Sequence, residues 1–143
     1  MRRNDRAIAR FTMIGHATFH SYELAIPLFV VVWLDVFDVS PAVLGTVVAV
    51  GYGLVGVGAL PSGALADAYG SKRLVVLSMA GMGAGFALVA LAPTIWILAL
   101  ALVCWGAAAS LYHPAGLSLI TRGAERRGTV LAYHGVAGNV GTA

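Results

Sequence analysis

Three residues near the start of the chain have types and spacing suited to moving a proton: His16, His20 and Glu23. On a helix, residues three and four apart share a face. Two imidazoles and a carboxylate would then lie along one side of it. Imidazole changes charge near neutral pH, so it can pass a proton to or from a nearby carboxylate. The plainer reading is a neutral Glu23 that hydrogen-bonds a neighbouring helix. Two more imidazoles, His113 and His134, stand far along the chain, and Tyr112 precedes the first. A histidine cluster can also bind a metal, but the sequence shows no carboxylate or other partner beside His16, His113 and His134 together. Separately packed polar residues explain those three more simply, and no metal is expected. His113 before Pro114 also fits a kink, its ring bonded to a freed carbonyl. The single cysteine, Cys104, allows no disulfide within the chain, no Cys/His zinc spacing occurs, and no cofactor is expected.

The elements that carry these residues are apolar. Of 143 residues, 59% are hydrophobic and 10% charged, and mean hydropathy is +0.87. A soluble domain carries about 25% charged residues, so this chain cannot cover a globular surface with polar groups. Crossing a hydrocarbon core of ~30 Å takes roughly 20 helical residues. Four stretches qualify: about 11–36, 43–65, 74–92 and 95–120. A fifth, 129–143, is about 22 Å long and only part of a crossing. The expected fold is therefore all-α, a polytopic membrane helix bundle of four spans and a partial fifth. At 1.5 Å per residue, Glu23 lies about 18 Å into the first span. A carboxylate at that depth is costly and points to function by default. The same arithmetic puts His16 and His134 about 7–8 Å, and His113 about 10 Å, from one end of their spans.

The connections fix an orientation. All nine basic residues fall in alternate connections: Arg2, Arg3, Arg6 and Arg10; Lys72 and Arg73; Arg122, Arg126 and Arg127. The others contain Asp35, Asp38, Ser40 and Pro41, or only Pro93 and Thr94. The positive-inside rule then puts the N-terminus in the cytoplasm, in a multi-pass protein of the plasma membrane. The apolar run after Arg10 is far longer than the ~7–15 residues of a signal peptide, so it reads as an uncleaved span. No basic block is long enough to suggest nucleic acid. Trp33 and Trp96 fall near the outer interface, where indoles anchor helices.

Glycines fill the spans. Gly51-x-Gly53-x-x-Gly56 matches a dinucleotide fingerprint, but it lies inside an apolar span without the strand and acid that the fingerprint needs. Helix packing explains it. Gly81-x-x-x-Gly85 could seat a close helix contact, but general small-residue packing is the simpler reading. Gly63-Ala-Leu65-Ala-Asp67-Ala-Tyr69-Gly70-Ser-Lys72-Arg73 differs in having one acid, a turn glycine and two bases. It reads as a short loop in which Asp67 accepts from Lys72, Arg73 or a helix N-terminus. This segment resembles the signature loop of the major facilitator superfamily at Gly63, Leu65, Asp67, Gly70, Lys72 and Arg73, and lies between spans two and three as it does there. Ala68 departs from the family's usual Arg. The resemblance implies that Asp67, Gly70, Lys72 and Arg73 latch two transporter halves together.

Ser110-Leu-Tyr112-His113-Pro114-Ala-Gly116, Arg126-Arg127-Gly128 and Gly138-Asn139-Val-Gly141, with His16 and Pro27, further resemble the fosmidomycin-resistance-type exporters. The family has twelve spans in two halves, so the resemblance implies a truncated N-terminal part that lacks its C-terminal half. It also implies a secondary active transporter of a small organic solute, a proton-coupled drug or metabolite exporter. Its substrate or proton-coupling residues would come from His16, His20, Glu23, Tyr112, His113 and His134. The alternatives are a complete four-helix exporter like the small multidrug resistance family, and a non-transporting remnant or assembly partner. No H-E-x-x-H or G-x-S-x-G motif suggests an enzyme.

Overall fold

The computed structural model describes residues 1–143, and the apolar runs form six α-helices. These are α1 (Arg3–Phe37), α2 (Pro41–Tyr69), α3 (Ser71–Ala90), α4 (Ile95–Ala109), α5 (Tyr112–Gly123) and α6 (Arg127–Gly141). In lipid every backbone amide must bond within its own segment, which leaves helices as the economical solution. Short caps set the boundaries. Ser40 Oγ accepts from the Val43 amide, with Pro41 in the first helical position, and Thr94 Oγ1 accepts from Ile97. Four helical segments are long and apolar enough to cross a membrane, α4 and α5 together counting as one. The fold is the all-α bundle expected.

Two features differ from the sequence reading. The signature segment is hardly a loop. Gly63–Tyr69 completes α2, and Gly70 alone separates it from α3, so Lys72 and Arg73 stand in the first turn of α3. Gly70 has φ +91, where a Cβ would be strained, so one glycine makes the whole turn. The fourth span is broken at Ser110 and Leu111, and α5 restarts just ahead of Pro114. A proline three residues into a helix can bond no carbonyl four back, which favours the break there. Pro27 and Pro61, by contrast, lie inside unbroken helices.

Packing follows residue size. Gly81 and Gly85 of α3 lie against Ala108 and Trp105 of α4, and Gly51 meets Leu102 and Gly106, so α4 seats between α2 and α3. Gly53 and Gly56 face nothing within the chain, so only the first glycine of that triplet packs as expected. α1 lies along α6, where Gly138 meets the His16 ring and Gly141 meets the Ala17 backbone. Trp33, one turn from the end of α1, is buried against the core, whereas Trp96 at the start of α4 is exposed. Many large apolar side chains, such as Leu28, Val31, Leu60 and Leu91, point outward, as a lipid-facing surface requires.

The three basic connections meet at one end of the bundle. Arg2 pairs with Glu125 at 2.6 Å, Asn4 Nδ2 donates to the Gly123 carbonyl, and Ser71 Oγ donates to Ser118 Oγ.

Candidate functional site

The helices bring all four histidines and Glu23 together. His16, His20 and Glu23 lie on one face of α1, as their spacing dictates. The α4–α5 break turns His113 toward them, and α6 brings His134 alongside. The His16 and His134 rings stack 3.8 Å apart and nearly parallel. His113 stands edge-on to His16 at 5.2 Å, and Phe19 closes the other side of it at 4.5 Å. The expectation of separately packed imidazoles therefore does not hold. Similar depth was legible in sequence, but the rings also share one azimuth, which is set by how the helices pack. The His113 ring bonds no freed carbonyl.

A chain of short contacts runs through the cluster. His16 Nδ1 lies 2.7 Å from the His134 carbonyl oxygen. His16 Nε2 lies 3.1 Å from His20 Nε2, and His20 Nδ1 lies 2.7 Å from Glu23 Oε2. Proton roles follow from the ends. A carbonyl only accepts, so His16 Nδ1 carries hydrogen and a neutral His16 offers a lone pair at Nε2. His20 Nε2 then donates. His20 Nδ1 and Glu23 Oε2 are left to share one proton, as imidazolium and carboxylate or as imidazole and carboxylic acid. Without that proton two lone pairs would face each other somewhere along the chain. The cluster can also offer metal ligands: one nitrogen each of His16, His20 and His113 lie within 4.8 Å of one another.

Supporting residues hold these groups in place. Pro27 frees the carbonyl four residues back, which is that of Glu23, and Tyr52 Oη donates to this oxygen at 2.6 Å. Tyr112 is fully buried, and its hydroxyl donates to the Thr12 carbonyl at 2.6 Å. It pins α5 to α1 beside the cluster rather than offering its hydroxyl to a ligand. His134 Nδ1 and Trp105 Nε1 are buried without a partner.

At the basic end, Asp67 pairs with Arg122 of α5 at 2.8 Å, not with Lys72 or Arg73. The one-residue turn explains this: it carries those bases away into α3. Gly70, Lys72, Arg73 and Arg122 surround an open cavity of about 490 Å³. Gly63 lies upstream in α2, with open space where a Cβ would stand. Asp5, which sequence reasoning passed over, is buried and accepts from the amides of Glu125 (3.0 Å) and Arg126 (3.3 Å). It caps the start of α6 from another helix. An acid among four arginines looks like a surface charge in sequence, so no local signal marks it.

The sequence profile of the Major Facilitator Superfamily matches residues 12–143. A 60-residue segment is 40% identical to the protein named multidrug resistance protein MdtH in Yersinia enterocolitica, Yersinia pestis and Yersinia pseudotuberculosis. That segment is 42% of this chain and only 15% of the length of those relatives. No solved structure matches the chain.

Proposed function

From its membership of the major facilitator superfamily, a family of membrane transporters, we propose that this chain supplies N-terminal spans of a proton-coupled secondary transporter exporting a small organic solute. The carrying observation is the Glu23–His20–His16 chain, which ends on the His134 carbonyl and links α1 to α6. It holds one shareable proton at its Glu23 end. Loss of that proton opposes two acceptors, and when His20 and His16 shift tautomer to satisfy Glu23, the opposed pair is His16 Nδ1 and the His134 carbonyl, which loosens α1 from α6. That is the coupling an alternating-access carrier needs, with its site near the midplane between two rocking halves.

His16, His20, Glu23 and His113 are the coupling or substrate-facing groups of this reading, and Tyr112 and His134 position them. The name multidrug resistance protein, borne by the Yersinia relatives, supports drug-like compounds as the substrate class. The narrower fosmidomycin-type reading rests on the motifs around His113 and Gly138. Family membership sets aside a small multidrug resistance-type exporter.

The signature residues Gly63, Asp67, Gly70, Lys72 and Arg73 form the inner latch in this reading, with Asp67 exchanging its Arg122 partner for one in an opposing half. Further spans from a C-terminal half are the required partner. In this reading the protein sits in the plasma membrane, and the grouping of the basic connections at one bundle end supports a cytoplasmic N-terminus.

The test begins with the DNA downstream, where a continuing frame should encode more spans. That protein, expressed in a host stripped of its exporters, should extrude a fluorescent drug-like dye when a proton gradient is imposed. Glu23→Gln, which preserves shape and removes the exchangeable proton, should abolish gradient-driven extrusion. Unchanged extrusion would remove Glu23 from the mechanism.

A further inference from the structure

The geometry points to a divalent transition-metal site formed by His16 Nε2, His20 Nε2 and a ring nitrogen of His113, with Zn²⁺ the ion whose chemistry fits it. The site uses residues of the coupling reading but does not rest on that reading.

The first support is spacing. Two nitrogens held 2.0–2.1 Å from a tetrahedral zinc stand about 3.3 Å apart. The Nε2 atoms of His16 and His20 are 3.1 Å apart, on adjacent turns of one helix. The third nitrogen, from His113, lies within 4.8 Å of both. Closing that gap requires His113 to swing by about 1.5 Å to reach a tetrahedral edge. Its ring is only half-buried, and α5 begins just one residue before it.

The second support is independent of spacing. A metal-bound histidine nearly always donates its other N–H to a carboxylate or a backbone carbonyl, which fixes its tautomer and strengthens its lone pair. Both partners are in place: the His134 carbonyl on His16 Nδ1, and Glu23 Oε2 on His20 Nδ1, each at 2.7 Å. When both Nδ1 atoms donate outward, the two Nε2 lone pairs converge on one point. A metal ion at that point would accept both lone pairs, in place of the proton that His20 Nε2 otherwise donates to His16.

Three neutral imidazoles select a borderline ion such as Zn²⁺ over hard Mg²⁺ or Ca²⁺, which take oxygen ligands. The Glu23 carboxylate offsets part of the charge. The side chains of His20 and Glu23 are 22% and 37% exposed, which leaves a path for entry and a fourth coordination position for water.

The test uses the 143-residue chain, purified in detergent with a histidine-free tag and carrying Cys104→Ser to exclude thiolate ligation. Titration with ZnCl₂ should give one saturable site per chain that excess MgCl₂ does not compete away. Zinc X-ray absorption should show nitrogen neighbours at about 2.0–2.1 Å. Glu23→Gln, which removes only an outer partner, should weaken affinity about 10–100-fold. His113→Asn should weaken it at least as far, with helicity unchanged by circular dichroism. If His113→Asn loses helicity, His20→Gln takes its place with the same expectation. Absence of saturable binding, oxygen-only coordination, or affinity unchanged in Glu23→Gln and the histidine variant would each overturn the site.

Discussion

Replacing Asp5 with alanine tests how α6 is held against α1, and through it the His134 carbonyl that ends the proton chain. Asp5 is 1% exposed and accepts two backbone amides at the start of α6. Losing an N-cap acceptor costs about 1 kcal/mol, within a range of 0.5–2. The acid's attraction to the positive helix end adds about 0.3–1 kcal/mol. The longer second bond, to Arg126, is worth about 0.5–1.5 kcal/mol. Glu125 and Arg126 are themselves exposed, so water restores part of this. A net loss of about 2 kcal/mol follows, or about a thirtyfold shift in the opening of α6 at 1.36 kcal/mol per decade. Hydrogen exchange in detergent micelles reads that opening directly. Amides in the first turns of α6 should exchange about thirtyfold faster in Asp5→Ala, while those of α3 and α4 stay unchanged. Asp5→Asn keeps one acceptor and should show a smaller acceleration. Acceleration below threefold, or a rise spread evenly across all helices, would refute the capping account.

Gly106→Ala would set a Cβ on the Gly51 carbonyl oxygen and should destabilise the α2–α4 crossing by about 1–3 kcal/mol in detergent unfolding. Gly53→Ala, with no atom near the new methyl, should not. Tyr52→Phe strands the carbonyl that Pro27 frees and should cost about 1–3 kcal/mol, seen as lower thermal stability; equal melting would discount the bond. Gly138→Ala places a Cβ 2.5 Å from His16 Cε1. It should push that ring off the His134 carbonyl, and imidazole ¹⁵N spectra should lose the bonded Nδ1 signal while helicity holds.

The spans were legible because lipid leaves a chain few options: roughly twenty apolar residues between charged connections already specify a helix. The helical face shared by His16, His20 and Glu23 was legible for the same reason, since spacing fixes it. Convergence with His113 and His134 was not, because rotation about each helix axis depends on where Gly138, Gly141 and Phe19 let neighbours approach. The Asp67 partner was misread because nearness in sequence favoured Lys72 and Arg73. Once α3 begins directly after Gly70, those bases leave and Arg122 arrives from a segment fifty residues on. Tyr52 sat unnoticed between two glycines, though Pro27 already announced that the Glu23 carbonyl would lack its usual donor. The broken fourth span was hinted at by Pro114, but only packing decided that the interruption falls at Ser110 and Leu111.

The joint at Gly70 has a mechanical meaning. Two rods of 29 and 20 residues share a single pivot with no slack to absorb a mismatch. Any displacement of the α2 end is therefore delivered to the start of α3, whose Gly81 and Gly85 pack against Ala108 and Trp105 of α4. A longer connector would let α2 drift alone. One residue makes the two rods a crank.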